Sequence, residues 1–189
     1  MASPRNLLAY SAKILFFFLI FSSSSLHATL DLIPLGSQLT KIKERACHAT
    51  DSYRFCMKRL NRNPETSSAS TVLSLEKAIL QMGEAKAVKI QNSINEMHED
   101  PTLVAVKQAL DVCSASYQSI VETFEKVAEL ELEEDLLSAN YDIMVLFDEI
   151  GYCEDALAKA TARLPSMAIA NRAMKHFISM AAAATNGLQ

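Results

Sequence analysis

Between its prolines the chain repeats one pattern: apolar residues spaced alternately three and four positions apart, with polar residues between them. From Leu103 the series Val106, Leu110, Cys113, Tyr117, Ile120, Phe124, Val127 keeps that alternation for over three heptads. Few strands could produce it, so an amphipathic helix is predicted. Met167, Ala170, Met174, Phe177, Ala181, Ala184 and Leu188 mark a second such helix. A third stretch, Ser70 to Met97, carries Val72, Leu75, Ile79 and Met82, then resumes one step out of phase with Ala87, Ile90, Ile94 and Met97. A slight kink or drift near Gly83 is expected there. The fourth, from about Leu136 to Leu164, offers Ile143, Phe147, Ile150, Cys153, Leu157, Ala160 and Leu164.

Pro34, Pro64, Pro101 and Pro165 bound these stretches. Asp100 followed by Pro101 reads as an N-cap and a preorganised first helical residue, Ser68 or Ser70 can cap the stretch that ends at Met97, and Pro165 with Ser166 opens the last. Four helices of about 20 to 30 residues on short connections pack most simply as an up-down-up-down antiparallel bundle. Residues 67–189 are therefore expected to form an all-α four-helix bundle. Residues 29–66 precede it as a smaller unit, with Cys47 and Cys56 nine positions apart. On one continuous helix those two would lie roughly 13 Å apart, beyond the reach of a disulfide at about 7 Å, so bridging them requires the chain to turn within "HATDSYRF" as a short helical hairpin.

The first residues change the picture of where the chain goes. Arg5 and Lys13 are followed by the apolar run from Ile14 to Phe21, then by "SSSSLHA" with Leu26 and Ala28 placed for cleavage. The run is far shorter than the about 20 residues of a membrane span, so residues 1–28 read as a secretory signal peptide. Without them, 16 basic residues face 22 acidic ones, a net charge of −6. Such a product is unsuited to nucleic acid or anionic lipid as a main partner and favours encounter with a basic protein surface. A hydrophobic fraction of 50% with 4 Gly and 5 Pro excludes a disordered chain. All four cysteines, Cys47, Cys56, Cys113 and Cys153, follow the leader, and two disulfides are expected in an oxidising compartment. Three pairings are possible; Cys113 and Cys153, on consecutive antiparallel helices, can pin neighbours together.

Little in the chain suggests catalysis. His48, His98 and His176 are scattered, no metal-ligand spacing or phosphate-binding glycine loop occurs, and bridged cysteines leave no thiol nucleophile. Neither an enzyme nor a cofactor or metal site is expected. The acidic run "ELELEEDL", with Glu129, Glu131, Glu133, Glu134 and Asp135, reads first as a solvated turn and second as a docking patch. Met57, Met82, Met97, Met144, Met167 and Met174 read as core filler before they read as an adaptable groove, and Tyr117 as core with its hydroxyl at the bundle edge.

The segments "RACHATDSYRFCMKRL", "ALDVCSASYQSIVETFEKV" and "GYCEDALAKA", with eight residues between the first two cysteines and forty positions between the last two, resemble the plant inhibitors of invertase and of pectin methylesterase. That resemblance spans the chain after the leader. It implies a four-helix bundle preceded by a hairpin, bridges joining first cysteine to second and third to fourth, and a non-covalent complex that covers the active-site cleft of a carbohydrate-active enzyme in the cell wall, apoplast or vacuole. Invertase inhibitors often carry Pro-Lys-Phe shortly before the helix of the fourth cysteine; the corresponding stretch here is "SANYDIM". The departure points to pectin methylesterase, with invertase (beta-fructofuranosidase) as the alternative and a non-inhibitory structural or ligand-carrying bundle as a further one. It also makes Asn140, Tyr141 and Asp142 candidate contacts.

Overall fold

The computed structural model describes residues 35–50 and 52–186. The signal-peptide reading of residues 1–28 and the seam position Leu188 lie outside them. The helices are α1 (Leu35–His48), α2 (Tyr53–Arg62), α3 (Val72–Glu99), α4 (Lys107–Lys126), α5 (Leu136–Lys159) and α6 (Pro165–Thr185). Single helical turns at Pro64–Ser68 and Leu132–Glu134, a 3₁₀ segment at Pro101–Val106 and a π turn at Val127–Glu131 connect them.

α3 to α6 form the bundle, each packed on its sequence neighbour and α6 closing back onto α3. The antiparallel sense follows from the cross-contacts. Between α4 and α5, Cys113, Ser119 and Lys126 meet Cys153, Glu149 and Asp142 respectively, so numbering rises on one helix as it falls on the other. Between α3 and α4, Lys77 pairs with Glu129 and His98 with Asp111, in the same opposed order. The predicted seams are the core: Leu75, Ile79, Ile90 and Ile94, then Leu110, Tyr117, Ile120 and Phe124, then Ile143, Ile150 and Leu157, then Met167, Met174 and Phe177, are all buried. Of the methionines, Met167 and Met174 fill the core, Met57, Met82 and Met97 pack on its edge, and Met144 is exposed.

α1 and α2 make the hairpin, stapled by Cys47–Cys56 with Cα atoms 5.2 Å apart, and α1 lies on α6 and α3. Ile42, Ala46 and Leu60 carry its apolar side into the common core. The second bridge joins Cys113 to Cys153 across α4 and α5, with Cα atoms 4.4 Å apart.

Several local expectations shift. α3 is capped by Thr71 and not by Ser68 or Ser70, because Thr71 and Ser74 exchange side-chain and backbone hydrogen bonds, each 3.0 Å, in a reciprocal capping box. Asp100 does cap, accepting from the Thr102 amide at 2.8 Å, but what it starts is the 3₁₀ segment; the α-helix begins only at Lys107. α3 runs unbroken through Gly83, where the ring of Phe124 comes so close that a Cβ would stand 2.7 Å from two of its carbons. The Tyr117 hydroxyl does not reach the bundle edge: it is fully buried and donates to Asn171 Oδ1 at 2.9 Å, while burial, with Glu154 adding to it, pushes the phenol well above its ordinary range. The Asn171 amide in turn donates to Cys153 Sγ at 3.8 Å, a polar insertion into the core that ties α4, α5 and α6 together.

Candidate functional site

A helix in a bundle needs one apolar face; α5 has two. Its buried face consists of Ala139, Ile143, Leu146, Ile150, Cys153 and Leu157. At 100° per residue, Leu137, Tyr141, Met144, Val145 and Tyr152 fall in a single arc of about 100° on the opposite side, and all five are exposed, Leu137 at 70%, Tyr141 at 69% and Tyr152 at 58%. Asp148, also exposed, falls in the same arc between Val145 and Tyr152, so the row is apolar with one carboxylate set into it. Single exposed apolar side chains are ordinary, whereas a cluster of five with two tyrosines is the usual make-up of a surface that another macromolecule covers.

The row is held rigid from beneath. Asp135 starts α5 by accepting from the amides of Leu137 and Ser138, both at 3.1 Å, and these bonds together with the Ser138 hydroxyl keep its carboxyl below the usual range. Cys153, next to Tyr152, is bridged to Cys113, next to the exposed Val112. Between these helices lies an open groove of about 620 Å³ with Val112, Tyr152 and Ala156 on its walls and Gln108, Asp155 and Lys159 at its rim.

The three residues singled out from the sequence take different parts. Tyr141 stands in the exposed row. Asn140 turns inward, donating to the Ala182 carbonyl at 2.7 Å and to Thr185 Oγ1 at 2.9 Å, so it fastens α5 to the end of α6. Asp142 lies beside Lys126, which also pairs with Glu131 at 2.9 Å, and the hydrogen bonds that the ammonium donates to both carboxylates, Asp142 foremost, hold it well above its ordinary range. Leu137, Val145 and Tyr152 were missed by reading the helix through its core seam, and Met144, read first as core filler, is exposed; the signal available was that apolar residues also recur at 137, 141, 144 or 145 and 152.

The acidic run is more than a solvated turn. Glu129 pairs with Lys77 at 3.0 Å, Glu131 with Lys126, Leu132 is buried, and Asp135 is a cap, which leaves Glu133 and Glu134 projecting into water. Among the described residues no three of His, Cys, Asp and Glu gather as metal ligands, and no helix is long and apolar enough to cross a membrane.

Residues 41–183 match the family described as plant invertase/pectin methylesterase inhibitor. The chain belongs to that family. As a member it is an inhibitor, of an invertase or of a pectin methylesterase, and not an enzyme. Two solved structures share the fold. One, the crystal structure of mutant form A of a pectin methylesterase inhibitor from Arabidopsis, superposes with a TM-score of 0.63 at 20% identity, covering 79% of this chain and 95% of that one. The other, a pectin methylesterase inhibitor from Arabidopsis thaliana, gives 0.56 at 19% identity over 78% and 95%. A search of curated proteins gave no match.

Proposed function

We propose that the protein inhibits pectin methylesterase by a non-covalent complex in which the outer row of α5 lies over the enzyme's active-site cleft. One observation carries this reading: five apolar side chains, two of them tyrosines, stand in water along one arc of a helix that a disulfide and an Asn140 fastening hold in place. Family membership supports inhibition as the activity, and the missing Pro-Lys-Phe element ahead of Cys153 favours pectin methylesterase over invertase. The chain acts after export and removal of residues 1–28, in the apoplast, and needs no cofactor.

Titrating a purified pectin methylesterase and a purified invertase with the mature protein tests this. The esterase loses activity at stoichiometric inhibitor and the invertase keeps it. Removing a central aromatic anchor commonly costs about 2 kcal/mol, so Tyr141→Ala weakens inhibition by roughly thirtyfold. Full esterase activity at micromolar inhibitor, or an unchanged inhibition constant for both Tyr141→Ala and Leu137→Ala, defeats the proposal.

A further inference from the structure

On a different side from the α5 row, α2 and α3 enclose an open groove of about 840 Å³ in which Lys58, Arg59 and Arg62 face Lys86 and Lys89. Five cations are concentrated there in a chain whose overall charge is −4. The groove's one acidic side chain is Glu65, and among the described residues none of the five cations has a carboxylate within 4.0 Å. Elsewhere Lys77, Lys126 and Lys175 are paired while others such as Lys107, Lys159 and Arg172 are not; what is particular to this groove is that five unpaired cations line one cleft. The cations also crowd one another: after burial, Arg59 and Lys89 are what pull the Lys86 ammonium below its ordinary range. Bringing like charges together without counter-charges is unfavourable unless something anionic comes to lie between them.

The shape says what kind of anion. The cations stand on both walls, and the wall from Phe55 to Arg62 runs about 10 Å at the helical rise of 1.5 Å per residue. That suits a ligand with charges repeated along its length better than a single phosphate or sulfate. Phe55 is half exposed at the rim, and the Arg59 guanidinium is stacked between it and Phe177, 5.6 Å from each ring centre. Gln81 adds an uncharged amide and Asn63 its Nδ2 donor, the Asn63 side-chain carbonyl being taken by the Thr66 amide. An aromatic face with amides and cations on both walls matches a carboxylated sugar ring, which offers C–H bonds to the aromatic ring, hydroxyls to the amides and one carboxylate per unit to the cations. We infer that the groove between α2 and α3 binds a segment of linear polyuronide, a polysaccharide of carboxylate-bearing sugars, through Lys58, Arg59, Arg62, Lys86 and Lys89.

Binding is measured with no enzyme present, so its failure is distinct from failure of the inhibitor reading. Calorimetric titration of the mature protein uses oligogalacturonate, the same oligomer fully methyl-esterified, and poly-glutamate of matched charge. The acidic oligosaccharide binds, more weakly as salt is raised, and the ester at least tenfold less tightly. Lys86→Ala with Lys89→Ala, and separately Phe55→Ala, reduce affinity at least tenfold while circular dichroism and thermal midpoint stay near wild type. Lys107→Ala with Arg163→Ala, outside the groove, leave binding unchanged. The inference is overturned if the ester binds equally well, if poly-glutamate binds as tightly as the oligosaccharide and so names an acidic peptide as occupant, if both groove variants bind normally, or if no oligogalacturonate binds at low salt.

Discussion

Glu76 of α3 is fully buried, and neither of its carboxylate oxygens has a hydrogen-bond partner. Burial raises its pKa from 4.5 to about 8, while Arg45 of α1, too far for a salt bridge, pulls more weakly the other way. The folded state therefore holds this proton to a higher pH than the unfolded chain does. Stability from this group is fully present below pH about 4.5 and drains away as pH rises towards 8. Linkage at 1.36 kcal/mol per unit makes the loss between pH 5 and pH 8 about 3 to 4 kcal/mol. Glu76→Gln keeps the shape and removes the titration. Urea unfolding of both proteins at pH 5, 6.5 and 8 reads the difference: near-equal stability at pH 5, and a variant ahead of wild type by about 3 kcal/mol at pH 8. Parallel curves for the two proteins across that range refute the reasoning, because they mean that the carboxyl reaches water or a partner in the fold.

Gly83→Ala gains about 1 kcal/mol of helix propensity but drives a methyl group against Phe124; a net loss of about 1 to 2 kcal/mol by denaturant midpoint is expected, partly regained when Phe124→Leu is added, and a stabilised single variant contradicts the close approach. Tyr117→Phe strands the Asn171 carbonyl in the core and costs about 1 to 3 kcal/mol in urea unfolding, with inhibition per folded molecule unchanged. Replacing Cys113 and Cys153 by Ala opens a loop of 40 residues and costs about 4 kcal/mol, against about 2.7 kcal/mol for Cys47 with Cys56 and its loop of 9; a reversed order in thermal or urea unfolding defeats the loop argument.

The bundle was legible in the sequence because period and burial are the same fact for a helix with one apolar face. Tyr117, Phe124, Ile143 and Met174 sit in the core where their spacing puts them. The 3₁₀ segment was hidden because Leu103 and Val106 continue the three-four series across it, although nothing in Pro101–Val106 is buried. Thr71 was overlooked as a cap since its role depends on Ser74 answering it. The Tyr117–Asn171 bond joins positions 54 apart, and no local pattern announces such a pair. The exposed row escaped for a subtler reason. Once Ile143, Ile150 and Cys153 explain why α5 is a helix, Met144 and its neighbours look like padding, and only solvent exposure separates padding from a surface.

Each disulfide closes within its own part of the molecule, one inside the hairpin and one between α4 and α5, so no covalent bond joins hairpin to bundle except the main chain. Oxidation therefore hardens two bodies without fixing their seam, and the seam is where Glu76 lies within electrostatic reach of Arg45. In acid the two parts are held by packing and by the Arg59 guanidinium over the Phe177 ring. As pH rises towards 8 the carboxylate that forms there gains by reaching water, against the attraction of Arg45, so lifting of the stapled hairpin from the stapled bundle is the expected first opening.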